Sequence, residues 1–343
     1  MKRFLPEWEK QNFILMALPN EETDWNYILD EAIEQYKRII LELTMHGVQV
    51  VLLCNSIERA GFFFKDCDCS LLKLIQCTFN DTWTRDYGPI SIKKDGKIKA
   101  IDFGFNGWGL KFASDFDNLV NLFLYKRGYL EKNKYVNLRH FILEGGSIET
   151  DGKGLILTTS RCLCSPNRNG GLSKKSISKR LKSYLGAEKI LFLDHGYLAG
   201  DDTDSHVDTL ARIAPDNKII YVGCTDTSDE HWKELQLMKN EIQELTDIEG
   251  NPFELFELPL PKPIFDENGK RLPATYANYL ITEKHVFMPV YNQPEKDSEA
   301  LTVIKKALPE HEVIGIDCNT LIKQHGSLHC ATMQIPYGLF NFF

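Results

Sequence analysis

Short apolar runs bounded by polar or turn-forming residues recur along the chain, and each reads as a buried strand. They are Phe13-Ile14-Leu15-Met16-Ala17-Leu18, Val48-Gln49-Val50-Val51-Leu52-Leu53, Leu155-Ile156-Leu157-Thr158-Thr159, Lys189-Ile190-Leu191-Phe192-Leu193, Lys218-Ile219-Ile220-Tyr221-Val222 and Val286-Phe287-Met288-Pro289-Val290-Tyr291. Between them the pattern shifts to helical spacing. Ile28, Ile33, Tyr36, Ile39, Ile40 and Leu43 predict a helix from Trp25 to Met45 with Asp24 as its N-cap. A basic amphipathic helix is expected over Ser173 to Leu185, and another over Glu230 to Leu245. Such alternation predicts an α/β or α+β domain. The proline-rich stretch Asn251 to Pro273 is interleaved with Phe253, Leu255, Phe256, Leu258 and Ile264, and reads as a packed loop excursion. With no linker or low-complexity segment, one domain over residues 1–343 is expected. The strand–helix rhythm is loosely periodic, without an exact repeat.

Composition narrows the classes. Of 343 residues, 43% are hydrophobic and 26% charged, enough for a large core, and the net charge of −8 argues against a nucleic-acid surface. No apolar run is long enough to span a membrane, and the N-terminus lacks the pattern of a signal peptide, so a cytoplasmic location is expected. The nine cysteines are scattered and read as buried thiols with one reactive member at most.

Four segments combine ionisable side chains with turn formers. In Asn80-Asp81-Thr82-Trp83-Thr84-Arg85-Asp86-Tyr87-Gly88-Pro89, Gly88-Pro89 places Asp86 where loop meets strand. A capped turn with an Arg–Asp ion pair accounts for it equally well. Leu143-Glu144-Gly145-Gly146-Ser147-Ile148 offers a glycine pair through which backbone can approach a ligand, or an ordinary turn. In Gly200-Asp201-Asp202-Thr203-Asp204-Ser205-His206-Val207-Asp208, an extended segment would turn His206 and Asp208 to one side, although a solvated acidic turn remains open. Gln324-His325-Gly326-Ser327-Leu328-His329-Cys330 gives Cys330 a small-residue turn and a neighbouring histidine. Cys67-Asp68-Cys69 and Cys162-Leu163-Cys164 lack the gap of structural zinc sites, so neither metal nor cofactor is expected.

Together the four segments, with Glu7-Trp8-Glu9, Met16-Ala17-Leu18-Pro19, Phe105-Asn106-Gly107-Trp108-Gly109 and the Gln334 and Pro336 that follow Cys330, resemble the agmatine deiminase family. That family lies within the wider group of guanidino-modifying enzymes that includes bacterial-type peptidylarginine deiminases. The resemblance implies a five-bladed α/β propeller, the pentein fold, with pseudo-fivefold symmetry and the site on its axis. It also implies hydrolysis of agmatine to N-carbamoylputrescine and ammonia, a step of putrescine and polyamine biosynthesis, through a covalent cysteine thiouronium. Family roles carry over as Cys330 nucleophile, His206 general acid/base, Asp86 and Asp208 guanidinium-binding carboxylates, and Glu144 the remaining site carboxylate. Trp83 would be a wall against the alkyl chain, with Trp108 a further substrate contact. Glycine is usual in the family where Ser205 stands, and the turn before the cysteine is usually richer in glycine. Both departures would alter pocket shape rather than the chemistry. The acidic cluster Asp201, Asp202 and Asp204 favours an amine at the substrate's far end, with Asp202 the expected contact. The expected partner is therefore a small cationic guanidino compound, with no nucleic acid or membrane, and a homodimer is compatible with the family. Free arginine or peptidylarginine deimination is the nearest alternative, and a non-catalytic cation-binding protein on the same fold the remote one.

Overall fold

A computed structural model of the chain describes residues 2–65 and 70–342. The Cys67-Asp68-Cys69 motif lies outside these. The chain is α/β, and its strands form five separate small sheets. They comprise Lys2–Phe4, Ile90–Lys94, Lys97–Gly104 and Tyr135–Ile142; Ile148–Thr150, Leu155–Thr159 and Lys189–Leu193; Ala211–Ala214, Lys218–Val222 and Glu254–Leu258; Leu280–Ile281, His285–Val290 and Glu312–Asp317; and Met333–Pro336, Gln11–Ala17, Val50–Cys54 and Leu72–Gln76.

One pattern recurs in all five. An antiparallel pair is followed by a parallel neighbour, as when Ile148–Thr150 pairs antiparallel with Leu155–Thr159, which then pairs in parallel with Lys189–Leu193. The same order holds in the others. A parallel neighbour requires a crossover, and helices such as Lys174–Leu185, Trp232–Gln243, Pro294–Ala307 and Leu29–Met45 supply it. Where both faces of an interior strand are covered it is apolar along its length, and every residue of Val50–Cys54 and Leu155–Thr159 is buried.

Several expectations change. The helix predicted from Trp25 begins at Leu29, after a 3-10 turn over Asn26–Ile28, and Asp24 does not cap it. The Asn251 to Pro273 excursion contains a strand, Glu254–Leu258, in register with Lys218–Val222. Prolines 252 and 259 flank this strand, where they interrupt no ladder hydrogen bond. The Ile90–Lys94 and Lys97–Gly104 hairpin turns on Asp95-Gly96, both at positive φ, the conformation of a two-residue type I′ turn.

Candidate active site

Each sheet is preceded at its antiparallel strand by a turn, and the sequence-predicted residues lie in these turns. Thr84–Tyr87 carries Asp86 and leads into Ile90–Lys94. Glu144 and the 3-10 turn Gly145–Ser147 lead into Ile148–Thr150. His206 and the turn Val207–Thr209 lead into Ala211–Ala214, and Cys330 precedes Met333–Pro336. The remaining sheet, led by Leu280–Ile281, contributes Asn278, which sequence reasoning missed. The Cys330 N–H donates to Asn278 Oδ1 at 3.2 Å, and Asn278 O accepts the His329 N–H at 3.1 Å.

These turns bring Cys330, Asp86, His206, Asp208 and Glu144 together in the interior. Gly146 marks the centre. A Cβ there would lie 2.7 Å from His206 Nδ1, 2.8 Å from Asp86 Oδ1 and 3.0 Å from Asp208 Oδ2. The glycine pair therefore serves close approach, and its N–H donates to Asp86 Oδ1 at 2.9 Å. His206 and Asp208 do not share an extended strand as expected. His206 is the extended residue before a 3-10 turn that holds Asp208, and the turn itself carries both side chains inward.

Cys330 Sγ lies 4.0 Å from Asp208 Oδ2. Burial, then Asp208 and Asp86, hold its thiol well above the ordinary range. Asp208 stays below the usual carboxylate range although burial opposes this, because His329 Nδ1 stands 2.7 Å from its Oδ2 and adds charge. His206 Nδ1 is 3.6 Å from Asp86 Oδ1. Burial disfavours the imidazolium, yet Asp86, Cys162 and Glu144 together raise the His206 ring well above its usual range. Glu144 is fixed by Arg168, whose Nε donates to Oε1 at 2.8 Å with both side chains fully buried. Its other oxygen, like both ring nitrogens of His206, has no hydrogen-bond partner. Glu144, Cys162 and His206 offer ligand-type atoms within 4.8 Å of one another.

A cleft opens from Cys330 and Asp86 between Trp83, Trp108 and Phe112. Trp108 does more than line it: Nε1 donates to Asp86 Oδ2 at 2.8 Å from a residue at φ 54°. Gly326 lets the chain pass against Trp83, whose ring a Cβ would meet at 2.5 Å. The acidic loop divides in a way the sequence did not reveal. Asp201 caps its own turn, accepting from Thr203 and Ser205 N–H groups at 3.0 and 2.7 Å. Asp204 accepts from Arg168 at 2.6 Å and Lys111 at 2.8 Å. Only Asp202 of the three lines the cleft, joined there by Asp24 and Asp81, two carboxylates not foreseen in that place. Burial pushes Asp81 up to about 7 and Asp202 up to about 6. Arg168 sits in Pro166–Asn169, and no pattern in its neighbourhood announces it.

Residues 3–336 match the family described as Porphyromonas-type peptidyl-arginine deiminase. The chain belongs to that family. Within it, the chain is similar to a Cys-to-Ser variant of C. jejuni agmatine deiminase with substrate bound, at 40% identity and TM-score 0.92, covering 99% of this chain and 97% of that one. The agmatine deiminase of Enterococcus faecalis is 26% identical with TM-score 0.87, covering 98% and 96%. Pseudomonas aeruginosa agmatine deiminase is 28% identical over 97% of this chain and 95% of its own. A dimethylarginine dimethylaminohydrolase, 13% identical with TM-score 0.55, shares the pentein fold with this family member.

Proposed function

We propose that this chain is an agmatine deiminase, a hydrolase of the C–N bond in a linear amidine, acting as a single catalytic domain. The five sheets then stand as blades about a pseudo-fivefold axis. This arrangement is supported by the shared strand order and by one site-bearing turn from each sheet. The observation that carries the substrate is the cleft's outer lining. Asp24, Asp81 and Asp202 contribute carboxylates there, and the described lining contains neither lysine nor arginine. The carboxylate that arginine adds would face these acids with His325 the basic side chain in the lining, whereas the primary amine of agmatine finds three acids.

In this reading Asp86 and Asp208 accept N–H groups of the guanidinium and fix it over Cys330. The thiolate attacks the central carbon and forms the C–S bond. The C–N bond then breaks as His206 gives its proton to the departing nitrogen, and ammonia leaves. Water next attacks the thiouronium carbon, passing a proton to His206. The C–S bond breaks, returning the thiolate and releasing N-carbamoylputrescine. Glu144, anchored by Arg168, keeps His206 oriented and supports its charge. Asn278 holds the nucleophile's backbone, and Trp83 flanks the alkyl chain. We place the enzyme in the cytoplasm, acting on a small guanidino substrate. No helix among the described residues is long and apolar enough to cross a membrane.

Ammonia release from agmatine, free arginine and an arginyl peptide, compared side by side, tests the assignment. Agmatine is expected to exceed both others in kcat/KM by at least two orders of magnitude, since a mismatched buried charge costs several kcal/mol. Preference for the peptide would overturn it.

A further inference from the structure

Behind the nucleophile lies a buried chain of charged groups that the reaction above does not use. His329 Nδ1 is 2.7 Å from Asp208 Oδ2, and its Nε2 is 2.7 Å from Glu7 Oε2. Arg212, fully buried, donates from Nη2 to the same Glu7 oxygen at 2.6 Å and from Nε to Glu149 Oε1 at 2.6 Å. Its guanidinium also rests 4.6 Å over the Tyr279 ring. Glu7 is anchored from its other side by the Ile281 N–H at 2.5 Å. Burial alone would raise the Glu7 carboxyl, but His329, Arg212 and Arg85 hold it well below the usual range. An ionised Glu7 accepts only, and the short contacts therefore orient the ring edge-on between two carboxylates. Asp208 Oδ2 is thereby held, while Oδ1 is buried without a hydrogen-bond partner.

We propose that His329 is a positioning residue. Braced by Glu7 and Arg212, its imidazole fixes one oxygen of Asp208 and leaves the other free to accept a guanidinium N–H. The inference rests on the reading of Asp208 as a guanidinium ligand. It gives the histidine beside Cys330 a role directed at the substrate rather than the thiol, and it explains why Glu7, more than 300 residues away in sequence, is buried there.

Side-chain shape allows a sharp test. The amide of His329→Asn reaches the place of Nδ1 and can still donate to Asp208, whereas that of His329→Gln reaches the place of Nε2 and serves Glu7. Agmatine kcat/KM is expected to stay within about fivefold of wild type in the Asn variant. It should fall about 10- to 100-fold in the Gln and Ala variants, as displaced binding groups do. The acid limb of the pH profile should also move to higher pH in the Ala variant. Asp208 is faced by His206, His329, Arg212, Arg85, Asp86 and the Cys330 thiol, and the Ala variant loses the closest contact of its Oδ2, at 2.7 Å. Equal activity of Asn and Gln variants, or losses that follow melting temperature with an unmoved pH profile, would overturn the proposal. Glu7→Gln keeps the shape of the brace and supplies a second measure. A smaller loss in kcat/KM is expected, and an unchanged value in folded protein would count against the brace. Wild-type turnover of agmatine against the arginyl peptide separately tests the function. If the peptide proved the substrate, the variant ratios would be read on it instead.

Discussion

Gly146→Ala is the most economical test of the site's geometry. The added methyl would stand 2.7, 2.8 and 3.0 Å from His206 Nδ1, Asp86 Oδ1 and Asp208 Oδ2. Each distance is 0.4–0.7 Å short of an ordinary contact (3.4 − 3.0 and 3.4 − 2.7). None of the three is the tip of a long flexible chain, and Asp86 is held by Trp108 and Asp208 by His329. The methyl therefore has to displace groups that would bind the guanidinium and transfer the proton. Displacements approaching 1 Å cost on the order of 10²-fold in rate, about 2.7 kcal/mol of barrier. Overpacking of this kind should also lower stability by about 1–3 kcal/mol. The assay is steady-state ammonia release from agmatine, with thermal melting alongside. Gly61→Ala is the control: it lies in helix Ile57–Phe63 with nothing within 4 Å of its Cβ position, so it should leave kcat/KM unchanged and raise stability slightly. A Gly146→Ala enzyme within threefold of wild type would refute the placement of these three groups round one substrate.

Asp202→Asn should raise the agmatine KM about tenfold or more, the value of a lost charged hydrogen bond, with little change in kcat. Because burial lifts the empty site's Asp202 to about 6 and Asp81 to about 7, both take up protons as pH falls. The KM for agmatine should therefore rise below about pH 7, and a flat KM between pH 8 and 5.5 would remove these acids from amine binding. The Cys330 thiol, held high by burial and by Asp208 and Asp86, should alkylate with iodoacetamide at lower pH once a non-reactive guanidinium cation occupies the site. An unshifted profile would show that the cation does not aid thiolate formation. Arg168→Met leaves the Glu144 carboxylate without its cation and Asp204 with Lys111 alone. It should cost about 3–5 kcal/mol by chemical denaturation, partly restored by Glu144→Gln. Ser205 sits at φ 64° with its hydroxyl unpartnered. Ser205→Gly should therefore stabilise by about 1 kcal/mol, visible as a melting temperature roughly 2 °C higher with activity preserved.

What the sequence could reveal divides along burial. Strands covered on both faces, such as Val50–Cys54, Leu155–Thr159 and Lys218–Val222, announce themselves as apolar runs, and two of these three boundaries match residue for residue. Edge strands mostly do not, although Lys189–Leu193 does. Tyr135–Ile142 and Glu312–Asp317 each bury only part of their length, and Glu254–Leu258 hides among prolines that mark its ends rather than forbid it. Even the Ile90–Gly104 hairpin was masked by its four lysines, although Asp95-Gly96 is the turn signal that would have given it away. The site follows the same division. Residues in glycine- or acid-rich turns were visible, whereas Asn278 and Arg168 sit in unremarkable surroundings, and Glu7, noted only within the Glu7-Trp8-Glu9 motif, matters through partners distant in sequence. The acidic loop shows the converse error. The cluster as a whole suggested an amine, with Asp202 the expected contact, and the other two are engaged elsewhere: local backbone donors hold Asp201 and a buried arginine holds Asp204.

The distribution of charge then explains how one pocket can be both selective and quiescent. Asp86 and Asp208 face the thiol and oppose its ionisation, so an empty site keeps Cys330 protonated and poorly reactive. Farther out, the Asp81 and Asp202 carboxylates are themselves pushed toward their neutral forms by burial. A substrate cationic at both ends relieves both conditions together. Its amine lets the outer acids ionise, and its guanidinium lets the inner thiol do so. Arginine keeps the amine but adds a carboxylate beside it, so it would meet the inner requirement while bringing an anion against the outer acids. Discrimination against arginine is thus expected in both KM and kcat, since poor seating at the far end also withholds the guanidinium from the position where it favours the thiolate.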